Sequence, residues 1–202
     1  MKIRVGNLIS SSFVDGPGER RVVLLQGCSI KCPGCQSENL WDRNGGSDIA
    51  INYLVYWLSL TEHKNVTVSG GEPFLQAFPL AYLCLQLKKK GCHVTLYTGY
   101  TWEHVKEFLD VLKNVDILVD GPFIQSKDDD LITYRGSRNQ RPIDVQESLR
   151  TNRTILLDWD APELVITPDG NVFIPDGLVS KLKGLGDVEP TRMCGEQPPE
   201  VH

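Results

Sequence analysis

Hydrophobic positions along the chain switch repeatedly between two periods, and the switching predicts alternating strands and helices. Residues 21–26 (RVVLLQ) form an apolar, β-branched run that stops at Gly27, the mark of a buried strand. Ile49, Tyr53, Tyr56, Trp57 and Leu60 recur at helical spacing, which predicts a helix over 48–60 with Ser47 as its N-cap. A short strand follows at 65–68 (NVTV) and runs into SGGEP. Leu80, Leu83, Cys84 and Leu87 mark the face of a second helix, which a lysine run and Gly91 bring to a stop. Residues 92–97 (CHVTLY) read as a strand. Val105, Phe108, Leu109 and Leu112 read as a third helix capped by Thr101, and 115–119 (VDILV) as a further buried strand. Strand and helix alternate with short connections, the signature of βαβ units and an α/β fold with a mostly parallel sheet.

Beyond residue 122 the pattern weakens. Residues 126–152 read as a long polar, functional loop region. Residues 153–157, 163–167 and 171–174 read as further strands, the last two joined by a hairpin-type turn at Pro168-Asp169-Gly170. The expected organisation is one domain over 1–175 and a Gly-, Pro- and charge-rich tail over 176–202.

Composition narrows the class. The chain has 202 residues, enough for a sizeable core, and a formal net charge of −5, which suggests no general grip on nucleic-acid phosphates. No apolar stretch is long enough for a signal h-region or a membrane span, so a cytoplasmic protein with no membrane partner is expected.

Of the six cysteines, Cys28, Cys32 and Cys35 crowd into a C-x3-C-x2-C segment. A close trio in a cytosolic-looking chain points to metal or redox chemistry rather than to a disulfide framework. Three thiolates on one tight loop can bind three irons of a cubane cluster, whose full protein ligation takes four cysteines. The missing fourth ligand leaves one iron open to an outside molecule. The alternative is structural zinc, with His63, His93 or a distant cysteine as fourth ligand, although zinc sites usually pair cysteines as C-x2-C and no second pair exists. Cys84 and Cys92 read as small core hydrophobes, and Cys194 as a tail thiol. His63, His93 and His104 have no partner spacing, and Lys88–Lys90 suits a helix C-terminus.

The trio together with Ser69-Gly70-Gly71-Glu72-Pro73 resembles the two hallmark motifs of the radical S-adenosylmethionine (SAM) superfamily. That resemblance implies a partial (β/α) barrel, open on one side. It also implies a [4Fe-4S] cluster on Cys28, Cys32 and Cys35 whose open iron is chelated by the amino and carboxylate groups of SAM, with the SGGEP strand end binding the amino group. The physics agrees: Gly70 and Gly71 permit close backbone approach, and carbonyls at a strand end accept ammonium hydrogens. Many members carry an aromatic residue where this chain has Gly34, so an adenine contact there is through the backbone.

Further segments resemble the anaerobic ribonucleoside-triphosphate reductase activating proteins: Asp15-Gly-Pro-Gly18 with Arg20, the CPGC form of the trio, Leu96–Thr101, Asp116–Phe123 and Tyr134–Ile143. The resemblance runs through roughly residues 5–175. It implies reductive cleavage of SAM and abstraction of a glycine Cα hydrogen in the large subunit of such a reductase, with a low-potential electron donor of flavodoxin or ferredoxin type. Tyr97, Thr98, Gly99 and Asp120, at strand C-termini on the same edge, are candidate SAM contacts; turn formation and helix capping would account for them equally well. Asp15–Gly18 reads more as a structural turn than as a direct contact. Arg135, Arg138, Asn139 and Arg141 are either a solvated loop or a docking site for the partner's glycine loop. The alternatives are activation of another glycyl radical enzyme, such as pyruvate formate-lyase, a small-molecule radical SAM enzyme, or a scaffold whose cysteines only hold the fold.

Overall fold

The computed structural model describes residues 1–129 and 132–159, together with the backbone of the strand pairs Val165–Ile166 and Val172–Phe173. Contacts divide the chain into two compact units, Met1–Asp160 and Ala161–His202. The first unit is built on a seven-stranded sheet. Its strands are β1 (Lys2–Ser12), β2 (Arg20–Leu25), β3 (Ser47–Ala50), β4 (Asn65–Gly70), β5 (His93–Tyr97), β6 (Ile117–Asp120) and β7 (Arg141–Asp144). The helices are α1 (Ile51–Leu58), α2 (Ala77–Lys89), the single turns α3 (Trp102–Val105) and α4 (Leu109–Leu112), and α5 (Val145–Thr151). In the second unit, β8 (Val165–Ile166) and β9 (Val172–Phe173) pair antiparallel. The expected turn at Pro168–Gly170 and the tail 176–202 lie outside the described residues.

The sheet is open, with strand order β3-β1-β2-β4-β5-β6-β7. It is mixed rather than mostly parallel. The centre, β2-β4-β5-β6, is parallel, as the alternating pattern requires. Both flanks are antiparallel: β1 pairs with β2 and β3, and β7 with β6. These flanking strands were not read from the sequence. The N-terminal run is long and half-exposed, and β7 and α5 occupy the segment expected to be loop. Antiparallel flanking strands of this kind, of which β3 and β7 are the edges, carry polar residues and lack the apolar density of a strand buried on both faces.

Period-two alternation splits the sheet into two unlike faces. One, with Val23, Leu25, Val66, Val68, Val94, Leu96 and Leu118, joins the helices in a single apolar cluster. The other carries Arg20, Thr67, Thr95 and Tyr97, with a smaller cluster of Ile117, Val119 and Trp159. Arg20 lies fully buried there and donates to the Thr67 and Thr95 hydroxyls and to the Pro17 carbonyl. Thr67 in turn donates to the Asp15 carbonyl, so Asp15–Gly18 is strapped onto this second face.

The second helix is as expected: Leu80, Leu83, Cys84 and Leu87 are all fully buried, and Gly91 takes φ +74° just past the helix end. Burial pushes the Cys84 thiol up to about 12, the behaviour of a core residue rather than a ligand. The first helix differs. Ser47 starts β3 instead of capping a helix, and α1 buries Ile51, Leu54, Val55 and Leu58. Of the stripe read as its inner face, Tyr53 (60%), Tyr56 (63%) and Leu60 are exposed, while Ile49 and Trp57 pack partly against the core. Two faces of this segment carry helical spacing, and the aliphatic one, which packs with less polar surface, is buried. The third helix is broken into α3 and α4, leaving Phe108 and Leu109 exposed. Among the described residues no helix is long and apolar enough to cross a membrane.

The inverted face of α1 is testable by unfolding in denaturant. Leu54→Ala lowers stability by about 2–5 kcal/mol, the cost of a large core truncation, whereas Tyr53→Ala changes it by no more than about 0.5 kcal/mol. The opposite ranking would refute the assignment.

Candidate active site

The C-terminal ends of the parallel strands open onto one cavity of about 120 Å³, the edge where open α/β sheets place ligands. Strand β2 leads through Gln26-Gly27 directly into the cysteine loop. Cys28, Cys32 and Cys35, all half-buried, share the cavity wall with Ser69, Gly70, Gly71 and Glu72 from the exit of β4 and with Tyr97, Thr98 and Gly99 from the exit of β5. Thus two sequence motifs about 35 residues apart meet across one opening.

The meeting is made by backbone. Past the end of the β2–β4 ladder, Gly71 N–H donates to Leu25 O (2.8 Å) and Glu72 N–H to Gly27 O (2.8 Å). A Cβ on Gly71 would lie 2.2 Å from Gly27 O, and one on Gly70 2.3 Å from Leu25 N, so neither position admits a side chain without moving backbone. Gly70 also sits at φ +113°. The close approach expected of these glycines is therefore, in the first place, to the chain entering the cysteine loop.

That loop is held from its other side as well. Gly27 N–H donates to Leu40 O and Cys28 N–H to Trp41 O (3.1 Å), while Cys35 N–H turns back to Cys32 O. Ser37 N–H points at the Cys35 sulfur (3.4 Å). Burial pushes the Cys32 thiol upward, opposed in part by a Phe123 backbone hydrogen bond; cationic iron would favour the thiolate there. Among the described residues no three His, Cys, Asp or Glu side chains converge as the ligands of one ion would. Three half-buried thiols on one cavity wall are the donor set that three irons of a cubane would take. His93 is placed on β5, far along the strand from its C-terminal exit. Cys194 lies outside the described residues.

The structure separates the remaining candidates. Pro73 is buried at the start of a 3-10 turn behind the cavity. Gly34, at φ +74°, is exposed on the cysteine loop and backs onto Gln125. Asp120 is 0% exposed and its carboxylate is engaged: it accepts from Trp102 N–H (2.5 Å) and from Arg141 Nε (2.9 Å) and Nη2 (2.5 Å). Asp120, reaching from β6, thus caps α3, where the Thr101 side chain makes no cap bond. Arg141, which also meets Glu103 (3.1 Å), is a clamp on this carboxylate, and that pairing raises its own pKa.

Asn139 donates inward to Pro122 O (2.7 Å), Arg135 to Gln140 O (3.3 Å), and Arg138 pairs with Asp129 at 2.5 Å with its own side chain 54% exposed. Tyr97 donates its hydroxyl to Tyr134 O (2.7 Å), and burial raises its pKa.

Five further lining residues escaped the sequence: Ile30, Trp41, Gly121, Phe123 and Gln140. Gln140 accepts from Gly136 and Ser137 N–H and donates to Gly121 O, so it folds the Tyr134–Ile143 segment against the exit of β6. Its place in the segment Tyr134–Ile143 was its only signal. Trp41 follows the trio by six residues without periodicity; its indole Nε1 is buried with no hydrogen-bond partner among the described residues.

A family model described as a 4Fe-4S single cluster domain matches residues 14–143. The chain is 31% identical over 141 residues to the anaerobic ribonucleoside-triphosphate reductase-activating protein of Enterobacteria phage T4, covering 64% of this chain and 86% of that one. It is 30% identical to the protein of the same name from Escherichia coli K12, covering 63% and 90%. It is 34% identical over 146 residues to the pyruvate formate-lyase-activating enzyme of Clostridium pasteurianum, covering 67% of this chain and 59% of that enzyme.

The Asp120 clamp makes a prediction. Arg141→Met strands a buried carboxylate and lowers unfolding free energy by about 3 kcal/mol. The double variant Asp120→Asn/Arg141→Met recovers much of the loss in the same denaturant titration. A neutral single variant would show that the pair is incidental.

Proposed function

Because the chain belongs to the 4Fe-4S single-cluster family of radical SAM activating proteins, we propose that it generates the glycyl radical of an anaerobic ribonucleoside-triphosphate reductase. The observation that carries this reading is the shared cavity: three cysteines one ligand short of a cubane, facing the SGGEP strand end across one opening. When bound, the [4Fe-4S] cluster and SAM supply one-electron cleavage chemistry, and with it the radical that takes a Cα hydrogen from the partner's glycine.

The chain's own residues supply placement. Cys28, Cys32 and Cys35 hold the cluster. Gly70 and Gly71, bare of side chains, bring main-chain carbonyls to the SAM amino group, with Ser69 beside them and Glu72 and Pro73 completing the turn. Tyr97, Thr98 and Gly99 form the next wall, where ribose and carboxylate contacts fall. Orientation of this kind, with water excluded, is what a protein contributes to cofactor chemistry. The open seven-stranded sheet supports a partial barrel whose open side admits the partner. At the Tyr134–Ile143 segment, Arg138, paired with Asp129, is the exposed cation of the docking candidates; Arg135, Asn139 and Arg141 all make bonds within the chain, so docking there falls to Arg138. The electron donor is proposed to be a flavodoxin or ferredoxin.

Anaerobically reconstituted protein is expected to be brown with about four irons per chain. With SAM, a reductant and the cognate reductase it yields a glycyl radical signal in electron paramagnetic resonance (EPR). Cys32→Ala abolishes formation of 5′-deoxyadenosine while leaving the chain folded. A colourless protein holding one zinc, or a Cys32→Ala variant that cleaves SAM at the normal rate, would refute the reading. The identity to the pyruvate formate-lyase-activating enzyme favours a second partner class; radical yield on that lyase but not on the reductase would select it.

A further inference from the structure

Glu72 is a buried carboxyl group whose partners are all neutral donors. It is 1% exposed, and its Oε1 accepts from Phe74 N–H (2.9 Å) and the Thr98 hydroxyl (2.9 Å), while Oε2 accepts from Gly99 N–H (2.9 Å). Burial raises its pKa and these three donors oppose the rise. A carboxylate in such a place costs free energy unless its bonds do something the fold or the site requires.

The bonds fall where the sheet gives out. The β4–β5 ladder ends at the pair Val68 and Leu96. Past it the two chains part: Gly71 N–H turns to β2, and Thr98 N–H turns to Val119 on β6. Between the exit of β4 and the exit of β5, the Glu72 carboxylate then spans the gap, and its reach extends one bond further because Thr98 Oγ1 also accepts from Tyr100 N–H (3.1 Å). Both oxygens are already engaged by the chain itself.

Resting on the SAM-binding reading above, we propose that Glu72 is a positioning residue: its carboxylate fixes the spacing between the Gly70–Gly71 turn and the Thr98–Gly99 turn, so that one SAM molecule meets both, without itself touching SAM. A glutamine cannot replace it, because it has a single carbonyl oxygen and turns an NH2 group toward at least one of the three donors.

The test uses the reconstituted full chain and measures iron content, the EPR spectrum without SAM, and the SAM dissociation constant by equilibrium binding. Glu72→Gln and Thr98→Val are expected to keep iron and spectrum while weakening SAM by about tenfold or more, the effect of one unsatisfied buried donor or acceptor. Thr98→Ser, which keeps the hydroxyl, stays within about twofold of the parent. Because both variants cut the same bridge, Glu72→Gln/Thr98→Val is no weaker than Glu72→Gln alone.

Unchanged SAM affinity in Glu72→Gln overturns the proposal. So does a loss confined to Glu72→Gln with Thr98→Val normal, since that is the behaviour of a direct contact; additive losses in the double variant do the same. If Glu72→Gln does not take up iron, the Thr98→Val and Thr98→Ser pair decides, and equal affinities in the two refute it. A parent protein that holds the cluster but binds no SAM would instead defeat the functional reading on which the inference rests.

Discussion

The site depends on one backbone contact, the continuation of the parallel β2–β4 pairing beyond the strands themselves. Gly71 and Glu72 N–H groups reach the carbonyls of Leu25 and Gly27, one residue short of Cys28. Everything chemical in the molecule is hung from that junction: the cysteine loop leaves on one side and the SGGEP turn on the other. The junction closes only because two successive residues have no Cβ, since a methyl group at either would collide with main-chain atoms that have no freedom to rotate away. The glycine pair is thus a condition for bringing the two motifs together before it is a condition for binding anything between them.

From this junction outward, the two faces of the sheet do different work. The helix-covered face is aliphatic throughout and gives rigidity. The opposite face joins buried polar residues to a small apolar cluster and is held by named bonds: Arg20 to Thr67 and Thr95, and Tyr97 to Tyr134. At the far end the Asp120–Arg141 pair fixes the exit of β6 and the start of α3 at once. Each strand exit that borders the cavity is therefore tied to its neighbour by a bond that the regular ladder does not provide. A radical enzyme has particular need of such ties, because a carbon radical and its hydrogen donor must meet at near-contact distance and misplacement by about an ångström is costly.

Three ionisable residues near the site have partners that their sequence positions do not show. Asp120, a candidate for either a ligand contact or a cap, accepts from Trp102 N–H and pairs with Arg141. Arg141, a candidate for either a docking cation or a solvated loop residue, lies on that carboxylate. Glu72, part of the SGGEP motif, accepts from the Thr98 hydroxyl and Gly99 N–H. In all three cases the side chain is satisfied from within the chain, because a buried polar or charged group without internal partners would destabilise the fold.

The sequence by itself determined the central parallel strands, the inward face of α2 and the two motifs of the site, because each is written in local spacing: period two, period 3.6, C-x3-C-x2-C and a glycine pair. Tertiary structure alone decided the antiparallel flanks, the face that α1 buries, and the partners of Asp120, Glu72 and Gln140. Ile51–Leu58 carries two helical stripes, and only the surface it packs against selects the aliphatic one. Trp102 and Asp120 are 18 residues apart, Glu72 and Thr98 26. Bonds of that range depend on which strand exits become neighbours, a property of the sheet order that no local pattern encodes.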